Sequence, residues 1–509
     1  MSNGDIVQKM KLTLPGMASD DVHVESVSGH EAIGSAYEFN VDVLSKDPIS
    51  LDPLIGKAVK LELTIVDETA VVHGVVSKAR TLDPTPNREF CYGFSIEPGF
   101  AMLRYSAQNQ VYGSDKDVTV VDIVEGELSD ANKAGSSTSS NRIARTLQHQ
   151  MLAEKSSYPK LDFVMQYRET DFDFICRLCE KFGIFFTFQH DGDQEKIVFG
   201  DRKEHFKKLS GRQLTEELPY RSKQQILSQG DFAIWSFNAE YAASSGTLAL
   251  REYNEETPKV SLSVSENASH KGQGVSTLYG ENYSTVSEGN FLAKRRVEQL
   301  QSEYLSFRGQ SNIPLLRPGL FFKLTDHPIS DLDGLYIVVE VDHSITMTTP
   351  FGFSSPDKTA APYNNSFRCV PFDAGYRTPC VTPKPTVHGY LSAVIDGETE
   401  GKRAELDDYG RYKVRILDEE SGLSKGKASA QIRKMEPYGG GDGYGAHSTL
   451  LIGTEVILGF IHGDPDRPII LGAVSNGEQT NPITSTNQNV AHRTRTSSGI
   501  VMQMSDGAV

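Results

Sequence analysis

The stretch GTEVILGFIHGDPDRPIILGAV, residues 453–474, sets two strongly apolar runs either side of an acidic, proline-fixed hexapeptide, Gly463-Asp464-Pro465-Asp466-Arg467-Pro468. Asp464 and Asp466 have the residue type of an acid–base pair or of metal ligands. They also have turn chemistry. Pro465 and Pro468 each fix φ near −65° and remove a backbone donor. Asp464 precedes a proline and is biased to extended geometry. Aspartate carboxylates bond backbone amides one or two residues on. Catalytic carboxylates need a concave pocket that perturbs their pKa, and the pattern predicts an exposed hairpin tip instead. Asp464, Pro465, Asp466, Arg467 and Pro468 are therefore expected to form a structural turn. Arg467 is free to pair with a carboxylate of its own chain or of another copy.

The strands flanking that turn belong to a larger set. HGYLSAVID (388–396), GRYKVRIL (410–417), SAQIRKM (429–435), LLIGTEVILGFI (450–461) and RPIILGAVS (467–475) read as five strands in about 90 residues. Five short strands in that length predict a small closed barrel of the OB type over 386–476. The glycine-rich EPYGGGDGYG (436–445) lacks the Lys-Ser/Thr of a phosphate loop and opens no helix, so it reads as a long flexible loop of the barrel. The proline-rich YRTPCVTPKPTVHGY (376–390) predicts a stiff linker over 379–385 and a domain boundary.

Upstream, VHVESVSGHEAIGSAYEFNVDVLS (22–45) alternates, with Tyr37, Phe39, Val41 and Val43 on one face. Residues 5–100 thus read as barrel- or sandwich-like β structure. VTVVDIVEGELS (118–129) looks helical, and the polar DANKAGSSTSSN (130–141) reads as a loop. In TDFDFICRLCEKFG (170–183), Phe172, Ile175, Leu178, Cys179 and Phe182 share a helical face. Thr170 with Asp173 gives the start signal and Gly183 the stop. IFFTFQH and EKIVFGD then predict two strands around Asp191-Gly192. Residues 203–285 read as polar and strand-like, SEGNFLAKRRVEQLQSEYLSFRG (287–309) as a helix of about four turns, and 312–345 as β structure again.

Composition bounds the function. The chain has 509 residues, 23% of them charged, and a net charge of −16. Such a surface repels phosphate backbones and argues against nucleic acid as a partner. No apolar run approaches the roughly 18 residues of a membrane helix. The start, MSNGDIVQKMKLTL, has no signal-peptide pattern, so folding and assembly in the cytoplasm are expected. The five cysteines are too few and too scattered for a disulfide framework. Cys176 and Cys179 form a C-x-x-C, but both fall mid-helix and no second pair follows at zinc spacing, so core packing is expected. His327 and His343 follow aspartates but lie in no catalytic or zinc motif, and structural roles are expected for both. No catalytic residue, metal or cofactor site is expected.

The end of the chain, NQNVAHRTRTSSGIVMQMSDGAV (487–509), alternates with Ile500, Met502 and Met504 on one face. A monomer has nothing left to cover that stripe, whereas copies of the chain do.

Taken in order, EAIGSAYEFNVDVLS, LIGKAVKLEL, VVHGVV, FVMQYRETDFDFICRLCEKFGIFFTF, LRPGLFFKLTDHP, LDGLYIVVEVDHS, DDYGRYKVRIL and GTEVILGFIHGDPDRPIILGAVSN resemble the valine-glycine repeat (VgrG) spike protein family of type VI secretion. That family is similar to a fusion of contractile phage tail hub and spike proteins, and the match runs over essentially the whole chain. The resemblance implies a mainly β chain with a minor helical part. A first hub barrel would span 1–115, a helical and strand insertion 116–285, and a second hub barrel 286–378. The OB barrel would form the neck, and 477–509 would begin a triple-stranded β-helix needle with Ile500, Met502 and Met504 in its trimer core. The implied partners are two further copies of the chain, a hexameric tube protein, baseplate proteins, a PAAR-type tip protein, effector cargo and, transiently, the target membrane. Asn476 is followed within about 15 residues by the needle-like segment, which leaves no room for the lysozyme domain of the phage spike. The short needle resembles the spikes of extracellular contractile injection particles and phage tails as well as those of secretion systems. The competing readings are a cell-wall hydrolase, which needs a carboxylate pair in a cleft, and a monomeric OB-type binding protein.

Overall fold

The computed structural model describes residues 8–18, 21–65, 67–84, 90–113, 118–133, 146–229, 231–346, 363–441, 443–485 and 491–505. The chain divides into two compact units. One holds residues 1–107, 119–159 and 170–383, and the other 108–118, 160–169 and 384–509.

In the first unit one hydrogen-bonded ladder runs through Gln8–Thr13, Ala58–Ile65, Glu68–Leu82, Phe90–Glu97, Glu38–Ser45 and Val22–Ala32, then on through Gly334–Thr346, Tyr363–Pro371, Leu305–Ser311 and Ile234–Tyr241. Alternation along these strands buries one face and builds two cores. The first gathers Tyr37, Phe39, Val41 and Val43 with Leu61 and Phe94. The second gathers Phe237, Phe307, Phe322, Tyr336, Phe367 and Cys369. The Val22–Ala32 strand pairs antiparallel with Gly334–Thr346, His30 opposite Asp342, so the ladder is continuous between the two halves.

The second half is larger than the expected 286–378. Leu209, Leu214, Leu218 and Ile234 lie in its core, and Lys207–Lys208 and Glu217–Pro219 pair in parallel with Leu320–Thr325. The insertion is correspondingly shorter than 116–285. These pairings join residues about a hundred positions apart, and nothing in the local alternation of 203–241 reports them.

Four helices accompany the strands among the described residues: α1 (Val120–Asn132), α2 (Asp171–Phe182), α3 (Lys223–Gln229) and α4 (Val286–Tyr304). Thr119 closes a capping box with Asp122 at the start of α1. Thr170 accepts the Asp173 amide at 3.0 Å, and Gly183 ends α2 at φ 72°. That positive φ is one that only glycine adopts cheaply. Cys176 and Cys179 are buried on α2, and burial pushes both thiols well up from their ordinary range. Phe185–Gln189 and Lys196–Gly200 form the expected antiparallel hairpin. Of the polar loop expected at 130–141, residues 130–132 complete α1, and 134–141 lie outside the described residues.

The second unit is the OB-type barrel. Val414–Ile416, Leu391–Ile395, Glu455–Phe460 and Pro468–Ala473 lie side by side, all antiparallel. The fifth expected strand is not continuous. Ile432 exchanges both backbone bonds with Tyr412, and next to it Arg433 O and the Met435 amide bond Ile470. Residues 432–435 therefore touch both edges of the four-stranded sheet and close it around Ile395, Val414, Ile416, Val456, Leu458 and Ile470. Residues 108–118 and 160–169, expected in the hub region, pair with each other and send Val111, Met165 and Tyr167 into this same core. The glycine-rich stretch expected as a loop forms a hairpin, Tyr438–Gly441 against Tyr444–Ala446. At the C-terminal end, Ala491–Arg495 pairs antiparallel with Val501–Ser505. The stretch 477–509, expected to begin the needle, thus holds a two-stranded hairpin.

Candidate functional site

The hexapeptide 463–468 lies between the Glu455–Phe460 and Pro468–Ala473 strands, but it is not the exposed tip expected from its polarity. Ile461 N donates to Arg467 O and Arg467 N to Asp464 O, both at 3.0 Å, closing the turn. Asp464 Oδ1 accepts the Asp466 amide at 2.9 Å, the aspartate turn chemistry described above. Pro465 is buried. Both carboxylates turn inward and meet one cation: Lys384 Nζ lies 2.5 Å from Asp464 Oδ1 and 2.7 Å from Asp466 Oδ2. Asp466 Oδ1 also accepts the Met165 amide at 2.8 Å. Burial alone would lower the Lys384 pKa, but Asp466 and Asp464 outweigh it and hold the ammonium above its usual range. Gly463, at φ 73°, leaves no room for a Cβ, which would fall 2.6 Å from Thr386 Cγ2, and its carbonyl accepts the Val387 amide at 2.8 Å. The aspartates are occupied in tying the turn to residues 384–387 and to 165. Lys384 was not singled out from sequence, since a lysine between two prolines carries no motif.

Ile500, Met502 and Met504 lie on or beside the C-terminal hairpin with 70, 66 and 65% of their surface exposed in the single chain. Val501 is half-exposed as well. The barrel adds exposed Tyr390, Tyr409, Met435, Tyr438 and Tyr444. Large apolar side chains stand in the open on the first unit too, among them Ile55, Tyr105, Tyr241 and Val275. Isolated ones are ordinary on a soluble surface, and what stands out is the exposed run Ile500, Val501, Met502 and Met504 in adjoining positions.

The histidines have structural partners. His343 is buried, with Nδ1 2.6 Å from the Tyr363 hydroxyl and Nε2 3.2 Å from Glu31 Oε1. Burial would raise the Glu31 pKa, but Arg317 and the His343 hydrogen bond outweigh it and hold the carboxylate below its usual range. His327 Nδ1 accepts the Ile329 amide at 3.0 Å in a surface turn. One further cluster has metal-ligand types: His30, Glu340 and Asp342 bring ligand atoms within 4.8 Å of one another. Glu340 and Asp342, but not His30, line a cavity of about 240 Å³ together with Arg308, Arg368, Gln310 and Asn238. Arg368 already holds Glu340 at 3.1 Å, and His30 pairs with Asp342 at 2.8 Å. Two guanidinium groups beside the cluster oppose a cation there.

Residues 30–349, more than half of the chain, match the family model of the phage tail baseplate hub (GPD). The chain belongs to the phage tail baseplate hub family. In this hub protein, residues 405–474 match a second model, the type VI secretion system/phage-baseplate injector OB domain. The type VI secretion system spike protein VgrG1b of Pseudomonas aeruginosa is 28% identical over 472 residues, 92% of this hub protein and 60% of the relative. The hub protein thus spans about 60% of the length of that relative. A solved component of the type VI secretion system of E. coli, described as similar to the T4 tail proteins gp27 and gp5, superposes with a TM-score of 0.63. It is 24% identical and covers 91% of this chain and 100% of that one. The Francisella PdpA-VgrG complex superposes at 0.60 with 8% identity, covering 98% of this chain and 83% of that one. These likenesses confirm the fold expected from sequence, a hub with an OB barrel.

Proposed function

We propose that this hub protein is the non-enzymatic central hub and spike of a contractile injection machine of the type VI secretion kind, working as a trimer. The observation that carries the reading is the C-terminal hairpin, where Ile500, Val501, Met502 and Met504 stand exposed among the described residues. Three copies winding their ends together would bury these side chains in a shared core, and interlocked strands resist bending because many backbone bonds must break at once. Its partners would be a hexameric tube protein at the hub, baseplate proteins, a PAAR-type tip protein beyond the hairpin and effector cargo. Assembly in the cytoplasm would precede ejection toward a target membrane. Sheath contraction elsewhere would supply the energy, so the chain needs stiffness and shape rather than a catalytic group.

The test is the solution mass by light scattering, on the full chain and on a version ending at Asn481. The chain weighs 56.0 kDa. The expected result is a mass three times that, with the trimer weakened by the truncation. A monomer at all concentrations would overturn the reading in favour of a single-chain OB-type binding protein. A trimer indifferent to truncation would move the assembly contacts to the hub and barrel.

A further inference from the structure

The strands that bury the second hub core turn their other face outward, and there polar side chains stand in register across four strands. Asn238 is opposite Arg308, Arg308 opposite Arg368, and Arg368 opposite Glu340. Two positions along each strand, and so on the same face, Ser236 is opposite Gln310, Gln310 opposite Ser366, and Ser366 opposite Asp342. Between the two rows runs the groove of about 240 Å³, crossing the strands over about 14 Å. Gly309 and Phe367, paired between the rows, complete its lining, and the Phe367 ring belongs to the core beneath. Arg308 and Arg368 are direct cross-strand neighbours, an arrangement of like charges that costs stability. Carboxylates relieve it on either side: Arg308 Nε donates to Glu240 Oε2 at 2.7 Å and Arg368 Nε to Glu340 Oε2 at 3.1 Å. Asp342 Oδ1 lies 2.8 Å from His30 Nδ1. A guanidinium has several N–H donors and a carboxylate several acceptor sites, so these pairs orient their groups without exhausting them.

We propose that this groove is a binding site for a neutral, extended oligosaccharide. Its charge is balanced, Arg308 and Arg368 against Glu340 and Asp342. A polyanion meets the two carboxylates and the negative charge of the whole chain, and a cation meets the two guanidinium groups. An apolar ligand finds no apolar side chain to cover, because Phe367 faces the core. What the lining suits is a neutral chain whose groups both donate and accept, as sugar hydroxyls do. Arg308 and Arg368 donate to sugar oxygens, Glu340 and Asp342 accept from hydroxyls, and Gln310 and Asn238 do either. A peptide has similar polar groups, but an extended peptide is gripped along a sheet edge, whereas this groove runs across the strands. The whole site lies within the hub unit. Trp235, bulged out of the strand pairing, donates from Nε1 to Gln310 Oε1 at 3.1 Å, which couples the indole to the groove lining.

Titration of the full chain with cellotetraose and with chitotetraose, both neutral and linear, tests the site. The readouts are the fluorescence of Trp235, the single tryptophan, and saturation-transfer NMR of the sugar protons. A saturable response with a Kd of about a millimolar or tighter is expected for at least one of the two. The matching monosaccharide should bind about tenfold or more weakly, since a single ring leaves most of the lining unused. Asp342→Asn and Arg308→Met should each weaken binding about tenfold, the loss of one hydrogen bond to a charged group. Both side chains are more than half exposed, so the urea midpoint of the chain should stay where it is. Arg80→Met, at a separate ion pair with Asp42 on the same ladder, should leave binding unchanged. No saturable response to either sugar in either readout, or binding indifferent to both groove substitutions, would overturn the proposal. Tighter binding of tetragalacturonate or of a neutral Gly-Ser peptide would overturn it too, and would assign the groove to an anion or to a peptide.

Discussion

Asp466 answers to two donors from distant parts of the sequence, the Met165 amide and the Lys384 ammonium. Its side chain is almost fully withdrawn from solvent, so removing it takes that acceptor from the Met165 amide and leaves Lys384 with Asp464 alone. Asp466→Ala should cost the barrel about 2 kcal/mol, the usual range for a charge-assisted bond to a buried group. The readout separates the two units. The single tryptophan, Trp235, belongs to the hub ladder, so its urea midpoint should stay put while exchange of the barrel amides quickens. A shift in the Trp235 midpoint would contradict a role confined to the barrel. Glu31 makes a matching prediction in the hub. Its pKa is held below the ordinary 4.5, so its contribution is present above that value and lost as pH falls through the lowered one. Glu31→Gln should therefore lower hub stability by about 2 kcal/mol at neutral pH. The gap to the parent should close as the solution is acidified through and below the usual carboxylate range, by Trp235 fluorescence at a series of pH values.

At the scale of elements, what was legible in the sequence was what is decided locally. Thr170, Asp173 and Gly183 fix both ends of α2 within fourteen residues, and the structure places α2 between them. The alternation of Tyr37, Phe39, Val41 and Val43 identified a buried face without knowledge of the partner strand. What was not legible depends on partners far along the chain. Residues 160–169 fall inside the insertion expected over 116–285, yet Met165 and Tyr167 complete the barrel core. Residues 429–435 were expected as a full strand, and what the sequence did not report is that only 432–435 bond the neighbouring strands in closing the barrel. The polarity of the hexapeptide suggested exposure because Lys384, which neutralises it, gave no signal of its own. The local signals are also the easiest to test. Thr170→Ala removes the cap bond and should cost about 1 kcal/mol. Gly183→Ala should cost more, since it forces a side chain into positive φ and sets a Cβ 2.9 Å from Arg295 Cδ. Paired urea titrations followed by Trp235 would rank the two, and a milder effect for Gly183→Ala would contradict the left-handed cap.

At the scale of the whole molecule, the exposed apolar side chains of the C-terminal hairpin and the net charge of −16 pull in opposite directions. Each added copy brings more like charge, and only contact area can offset that repulsion. If the hairpin supplies the contact, its methionines should decide assembly while doing nothing for the fold of one chain, since both are exposed there. Replacing Met502 and Met504 by glutamate forfeits about 2 kcal/mol of apolar burial per side chain and adds two charges per copy to a shared core. The concentration for half-assembly should rise about a hundredfold or more, read by light scattering across a dilution series. The Trp235 urea midpoint of the dissociated chain should not move. Glutamine at both positions separates the two contributions: it removes apolar surface without charge, so its defect should be smaller and insensitive to salt, whereas the glutamate defect should shrink as salt screens the repulsion. Assembly that tolerates both pairs of substitutions would mean that the hairpin stays in solvent in the assembled protein, and the barrel's exposed Tyr409, Met435, Tyr438 and Tyr444 would then be the face to alter next.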